Sequence, residues 1–106
     1  MKTEFNYLWI FLLTCCYFHA SPSQVTAKSR KPEVVRIRQV AQCLLYNSGA
    51  SYRQAGEIAG GIDANATRYN VLKIKSLIEP GRGQDRQLLN DLNNLTKIIQ
   101  GWQYNT

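Results

Sequence analysis

Bond-making chemistry needs a nucleophile, a base that titrates near neutrality or a cluster of metal ligands, and this sequence is short of all three. Its one histidine is His19, and its three cysteines are Cys15, Cys16 and Cys43. Ser-His-Asp and Cys-His arrangements both require an imidazole beside the nucleophile. His19 lies in an N-terminal stretch with the make-up of a removable leader, and without it Cys43 has no base. The carboxylates Glu33, Glu57, Asp63, Glu79, Asp85 and Asp91 fall at helix starts or on polar faces, where capping and solvation account for them. Asp85 and Asp91 are six residues apart, a spacing that puts them on different faces of a helix. Gly81-Arg82-Gly83 is too short to cradle a phosphate, and no Walker or dinucleotide pattern occurs. The expectation is a protein that binds and does not catalyse, with no cofactor and no metal.

What the sequence does offer is positive charge. Thirteen Lys and Arg stand against seven Asp and Glu, a surplus of +6, which suits another protein or an anionic surface as partner. Arg30, Lys31, Arg36 and Arg38 crowd together, while Arg68 and Lys75 are seven apart with Lys73 nearby. Arg36, Arg38, Arg68, Lys73 and Lys75 are therefore the candidate binding residues. Cys43 reads either as a buried small hydrophobe or as a thiol for an intermolecular disulfide. Asn65-Ala66-Thr67 and Asn94-Leu95-Thr96 are glycan-acceptor triplets, which makes Asn65 and Asn94 candidate modification sites. Trp102 and Tyr104 read as an aromatic anchor for a partner or as a staple closing the fold.

Among the elements that must position these groups, residues 1–23 have the layout of a secretory signal peptide: Lys2 and Glu4, then an apolar stretch from Tyr7 to Phe18 broken only by Thr14, then Ser21-Pro22-Ser23. A helix over residues 7–18 would rise about 18 Å, short of a bilayer's roughly 30 Å hydrocarbon core, so no transmembrane anchor is expected after cleavage. Cleavage after Ser23 would remove Cys15, Cys16 and His19 and send the protein to a secreted or periplasmic location, with the charge surplus unchanged. Two alternatives stand beside it. Leu12-Leu13-Thr14-Cys15 resembles a bacterial lipobox, which would lipidate Cys15, and the all-round apolar stretch also suits a buried first helix.

Residues 24–31 read as a flexible basic leader and residues 32–104 as a helical domain. The expected fold is all-α, a small bundle of three to four helices after the signal segment. Pro32 and Glu33 suit a helix start, with Val34, Ile37, Val40, Ala41, Leu44 and Leu45 at helical spacing until Asn47-Ser48-Gly49. Ser51 caps a short second helix ending at Gly60-Gly61, with Tyr52, Ala55 and Ala59 on one face. Asp63 caps a third to about Glu79, with Val71, Leu72, Ile74, Leu77 and Ile78 assigned to its buried side, before Pro80 and its glycines break the chain. A last helix from about Asp85 to Trp102 carries Leu88, Leu92, Leu95, Ile99 and Trp102 as an apolar stripe widened by Leu89 and Ile98. That stripe predicts either a core helix or a homo-oligomer through 88–102.

The run from Gly49 to Gly60, GASYRQAGEIAG, resembles the first half of a helix-turn-helix DNA-binding segment. By that resemblance Ala64–Lys75 would be the recognition helix, with Asn65, Arg68, Asn70 and Lys73 reaching bases or phosphates, and Gly61 would be an extra residue before Ile62. Two functional expectations follow. One is a small exported basic helical protein, a non-enzymatic binding module towards another macromolecule. The other, if the N-terminal segment is not a signal, is a helix-turn-helix DNA-binding transcriptional regulator.

Overall fold

The computed structural model describes residues 3–60 and 63–104, with side chains over 6–60 and 63–102. Six helices account for most of it: α1 Thr3–Tyr17, α2 Pro22–Thr26, α3 Pro32–Asn47, α4 Tyr52–Ala59, α5 Ala64–Leu77 and α6 Arg86–Tyr104. No strand occurs among the described residues. The all-α expectation holds, but the helix count rises from three or four to six because two helices precede Pro32. The radius of gyration is 12.9 Å, matching the roughly 13 Å expected of one compact domain of this length.

Helix α3 is the axis of the bundle and packs against all five others. Its residues from Gln39 to Leu45 are buried without interruption, as a helix surrounded on every side must be. Val40, Leu44 and Leu45 meet Val71 and Ile74 of α5 and Leu88, Leu92, Leu95 and Ile99 of α6 in one core. Leu88, Leu92, Leu95 and Ile99 are thus covered within the chain, as the core-helix alternative for α6 expects, while Ile98 at the edge of the stripe stays exposed.

The apolar run at the N-terminus is part of this core. Tyr7, Ile10, Phe11 and Cys15 of α1 are buried in it, and Thr14, also buried, donates its hydroxyl hydrogen bond to Ile10 O at 2.8 Å. Trp9 stacks on Trp102 of α6 with ring centroids 4.5 Å apart, so Trp102 acts as the staple; the side chain of Tyr104 lies outside the described residues. At the other end of the same helix pair, Tyr17 donates to Asp91 Oδ1 at 2.8 Å and accepts from Asn94 Nδ2 at 3.0 Å. No helix among the described residues is long and apolar enough to cross a membrane.

Part of the stretch expected to be a flexible leader is also ordered. Ser21 and Gln24 form a reciprocal capping box that starts α2, and Val25 is fully buried. The remaining caps fall where the sequence places them. Ser51 and Gln54 form a second capping box at α4, Asp63 accepts from Ala66 N at 2.8 Å at α5, and Asp85 accepts from Leu88 N at 3.0 Å at α6.

Candidate nucleic-acid interface

Helices α4 and α5 pack on each other and on α3, so the pair is presented as one rigid unit. Helix α4 ends at Gly60, whose φ of +86° is the left-handed conformation that glycine adopts without strain. A Cβ placed there would come within 2.7 Å of the Thr26 Cα. The end of α2 therefore sits directly against the end of α4, and glycine is needed for the approach as well as the turn. Gly61 and Ile62, where an extra residue was expected, lie outside the described residues.

Helix α5 buries Thr67, Val71 and Ile74. Its opposite face carries Asn65, Arg68, Tyr69 and Leu72, all exposed, at the i, i+3, i+4, i+7 spacing of one helical face. Lys73 flanks this face, its ammonium 6.0 Å from the centre of the Tyr69 ring. Two expectations are corrected here. Leu72, assigned to the buried side, is 43% exposed. Asn70, expected to reach bases, turns inward, accepting from Gln39 Nε2 at 3.1 Å and donating to Gln42 Oε1 at 2.8 Å.

The basic segment after α2 lies beside this helix. Ala27, Lys28, Ser29 and Arg30 line one side of a cleft of about 240 Å³, and Ala66 and Asn70 of α5 line the other, with Gly60 and Arg38 also contributing. Arg38 fixes the segment in place. Its Nε donates to Val25 O at 2.8 Å, and one terminal nitrogen donates to Ala27 O at 2.6 Å and Ser29 O at 3.4 Å. Partial burial lowers the Arg38 pKa from its ordinary value, a cost that the carbonyl contacts offset. The segment is a held loop, and Lys28, Arg30 and Lys31 on it are exposed or partly exposed around the clamp.

The five candidate binding residues accordingly divide. Arg68, Lys73 and Lys75 all stay exposed on α5. Lys75 lies 5.1 Å from the centre of the Tyr46 ring, which in turn stacks on Tyr52 at 4.3 Å, joining α5 to α3 and α4. Arg36 faces Asp85 at 3.5 Å, and Arg38 is the clamp just described. Sequence reasoning passed over Lys28, which belongs to the cleft, and Tyr69 as an outward residue. The signal for Tyr69 was its position two residues before Val71, off the buried stripe.

Three other candidates fall elsewhere. Cys43 is 1% exposed, and burial pushes its thiol up to about 11, so its sulfur is not offered to a second chain. Asn94 has its amide engaged by Tyr17, whereas Asn65 is exposed on the outer face of α5. No group of three His, Cys, Asp or Glu able to hold a metal occurs among the described residues.

No protein-family model matches the chain, and no solved structure matches it. The chain is similar to the chromosomal replication initiator protein DnaA from two strains of Thermus thermophilus. With each it shares 34% identity over 67 residues, which is 62% of this chain. The matched segment makes up only 15% of the relatives' own length.

Proposed function

We propose that the protein is a non-enzymatic duplex-DNA-binding module. In this reading α4 and α5 form the helix-turn-helix and the loop 27–31 acts as a second, phosphate-contacting arm. The observation that carries it is the pairing of two basic elements: a loop bearing Lys28, Arg30 and Lys31 is clamped by Arg38 along the Ala66–Asn70 flank of α5, and the outer side of that capped helix bears Asn65, Arg68 and Lys73. Phosphate contacts from the loop would position the protein, and the helix face would read base edges. The similarity to relatives named for initiating chromosomal replication supports DNA as the partner, although the match covers a small part of those proteins.

The reading also has residues 1–23 stay with the chain, because a cut after Ser23 would strip Tyr7, Ile10, Phe11 and Cys15 from the core. The intact mass of the protein from its native host tests this: full length is expected, and loss of 20–27 residues would instead favour the exported binding module.

The DNA test is fluorescence anisotropy on a mixed-sequence duplex of 20 base pairs across 50–200 mM salt. Each phosphate contact contributes about 0.9 to the log-log slope, so Lys28, Arg30, Lys31, Arg68 and Lys73 together predict a slope of about −4.5. Absence of salt-dependent binding at the low-salt end would overturn the assignment.

A further inference from the structure

The outward face of α5 carries a feature that phosphate binding does not explain. Between its cations stand two large side chains with apolar surface facing water, Tyr69 at 63% and Leu72 at 43% exposure. Asn65 and Arg68 precede them on the same face, and Lys73 follows, its ammonium near the Tyr69 ring. A leucine displayed on a helix surface gains nothing in the free protein, since burying it would be favourable by the usual hydrophobic measure. A polyanionic partner drawn in by Arg68, Lys73, Lys28 and Arg30 would cover it only if that partner also presents apolar groups at the depth a helix reaches. The major groove of DNA does so at one kind of base, through the C5 methyl of thymine.

We propose that Tyr69 and Leu72 are specificity-determining residues that contact thymine methyl groups, so that the protein prefers T-bearing sequences under the middle of α5. This rests on the DNA-binding reading above. Asn65 and Arg68, one turn closer to the helix start, have the donor groups for hydrogen bonding to the neighbouring adenine or guanine edges. The apolar pair then reads the feature that those polar side chains do not distinguish. Lys28 and Arg30 across the cleft hold the backbone and add no base preference of their own.

The test separates this inference from the reading it rests on. A duplex pool with a 20-base-pair random core is selected with the full-length protein. The enriched duplex is then made with thymidine and again with deoxyuridine, which pairs identically but lacks the methyl. Wild-type protein is expected to bind the uracil form about fourfold more weakly for each methyl covered. The double variant Tyr69→Ala/Leu72→Ala is expected to bind both forms alike, near the wild-type level on uracil, with only a small drop in thermal midpoint, since Tyr69 is 63% and Leu72 43% exposed. Equal wild-type affinity for the two forms would overturn the thymine assignment while leaving DNA binding standing, and so would methyl discrimination that persists in the double variant. Failure of any duplex to bind would overturn the DNA-binding reading and this inference with it.

Discussion

Two sides of the molecule expose apolar surface, and they do so in different company. On α5, Tyr69 and Leu72 stand among Arg68 and Lys73, on a helix whose Ala66–Asn70 flank faces Lys28 and Arg30. On α1 and α6, Leu8, Leu12 and Ile98 are exposed by 47%, 39% and 44%, and no charged residue occurs anywhere from Phe5 to Phe18. Exposure of single hydrophobic residues is ordinary in folded proteins. The neighbouring charges differ in sign: Leu8 shares a pocket with the carboxylate of Glu57, whereas cations flank Tyr69 and Leu72. Both sides are tied inward. The α1–α6 side is held by the Trp9–Trp102 stack and the Tyr17–Asp91–Asn94 hydrogen bonds, so its exposed groups flank a structural seam. Behind the outward residues of α5, Thr67, Val71 and Ile74 pack on the core while Asn70 bonds to Gln39 and Gln42 of α3.

The sharpest way to break this contrast is to delete residues 1–20. Each large side chain lost from the core contributes about 1.5–3 kcal/mol, and Tyr7, Ile10 and Phe11 together approach the whole stability of a small domain, about 5–15 kcal/mol. Circular dichroism on heating is expected to show no cooperative transition. A truncated chain that melts like the full one would mean that α1 is dispensable. Next in size, Lys28→Ala/Arg30→Ala/Lys31→Ala should lower duplex affinity about tenfold to a hundredfold near 0.15 M salt and flatten the log-log salt slope by about 2.7. Its melting midpoint should stay put, since the clamp donors belong to Arg38. A loss of stability without a change of slope would make the loop structural.

Gly60→Ala tests the junction between the two parts of the binding face. The left-handed backbone costs about 1–2 kcal/mol for a residue with a Cβ, and contact with the Thr26 backbone adds to that. A lower midpoint in chemical denaturation is expected, together with weaker DNA binding as the loop is pushed from α5. The smallest effect is expected from Leu8→Gln/Leu12→Gln, within about 0.5 kcal/mol in stability and without change in DNA affinity. If that pair instead weakened DNA binding, the α1 side would belong to the interface and the contrast would fail.

Much of the framework was legible in the sequence. Pro32, Ser51, Gly60, Asp63 and the Pro80 break mark where α3, α4 and α5 start or stop, because caps and turn residues act locally. The N-terminal third was not legible in the same way. A short apolar run that is hydrophobic all round has the same composition whether it feeds an export channel or lies in a core. The partners that tell the two apart, such as Trp102, Asp91 and Asn94, lie 74 or more residues away in the chain. Arg68 and Lys73 could be picked out by charge and helical position, yet Arg36 and Arg38 could not be excluded that way. Whether an arginine points at solvent, a carboxylate or a set of backbone carbonyls depends on segments that spacing within one helix does not locate. Leu72 was assigned inward because apolar type was taken to imply burial, and Val71 and Ile74 already fill that side.

The amides of Gln39, Asn70 and Gln42 carry a last consequence. The buried Thr67, Val71 and Ile74 of α5 already resist rotation of the helix through close packing. Hydrogen bonds narrow the choice further, because they weaken steeply with angle. The three amides therefore act as an indexing pin that sets the rotational phase of α5. With that phase set from behind, the residues on the outward face can be exchanged one at a time while the scaffold that presents them stays the same.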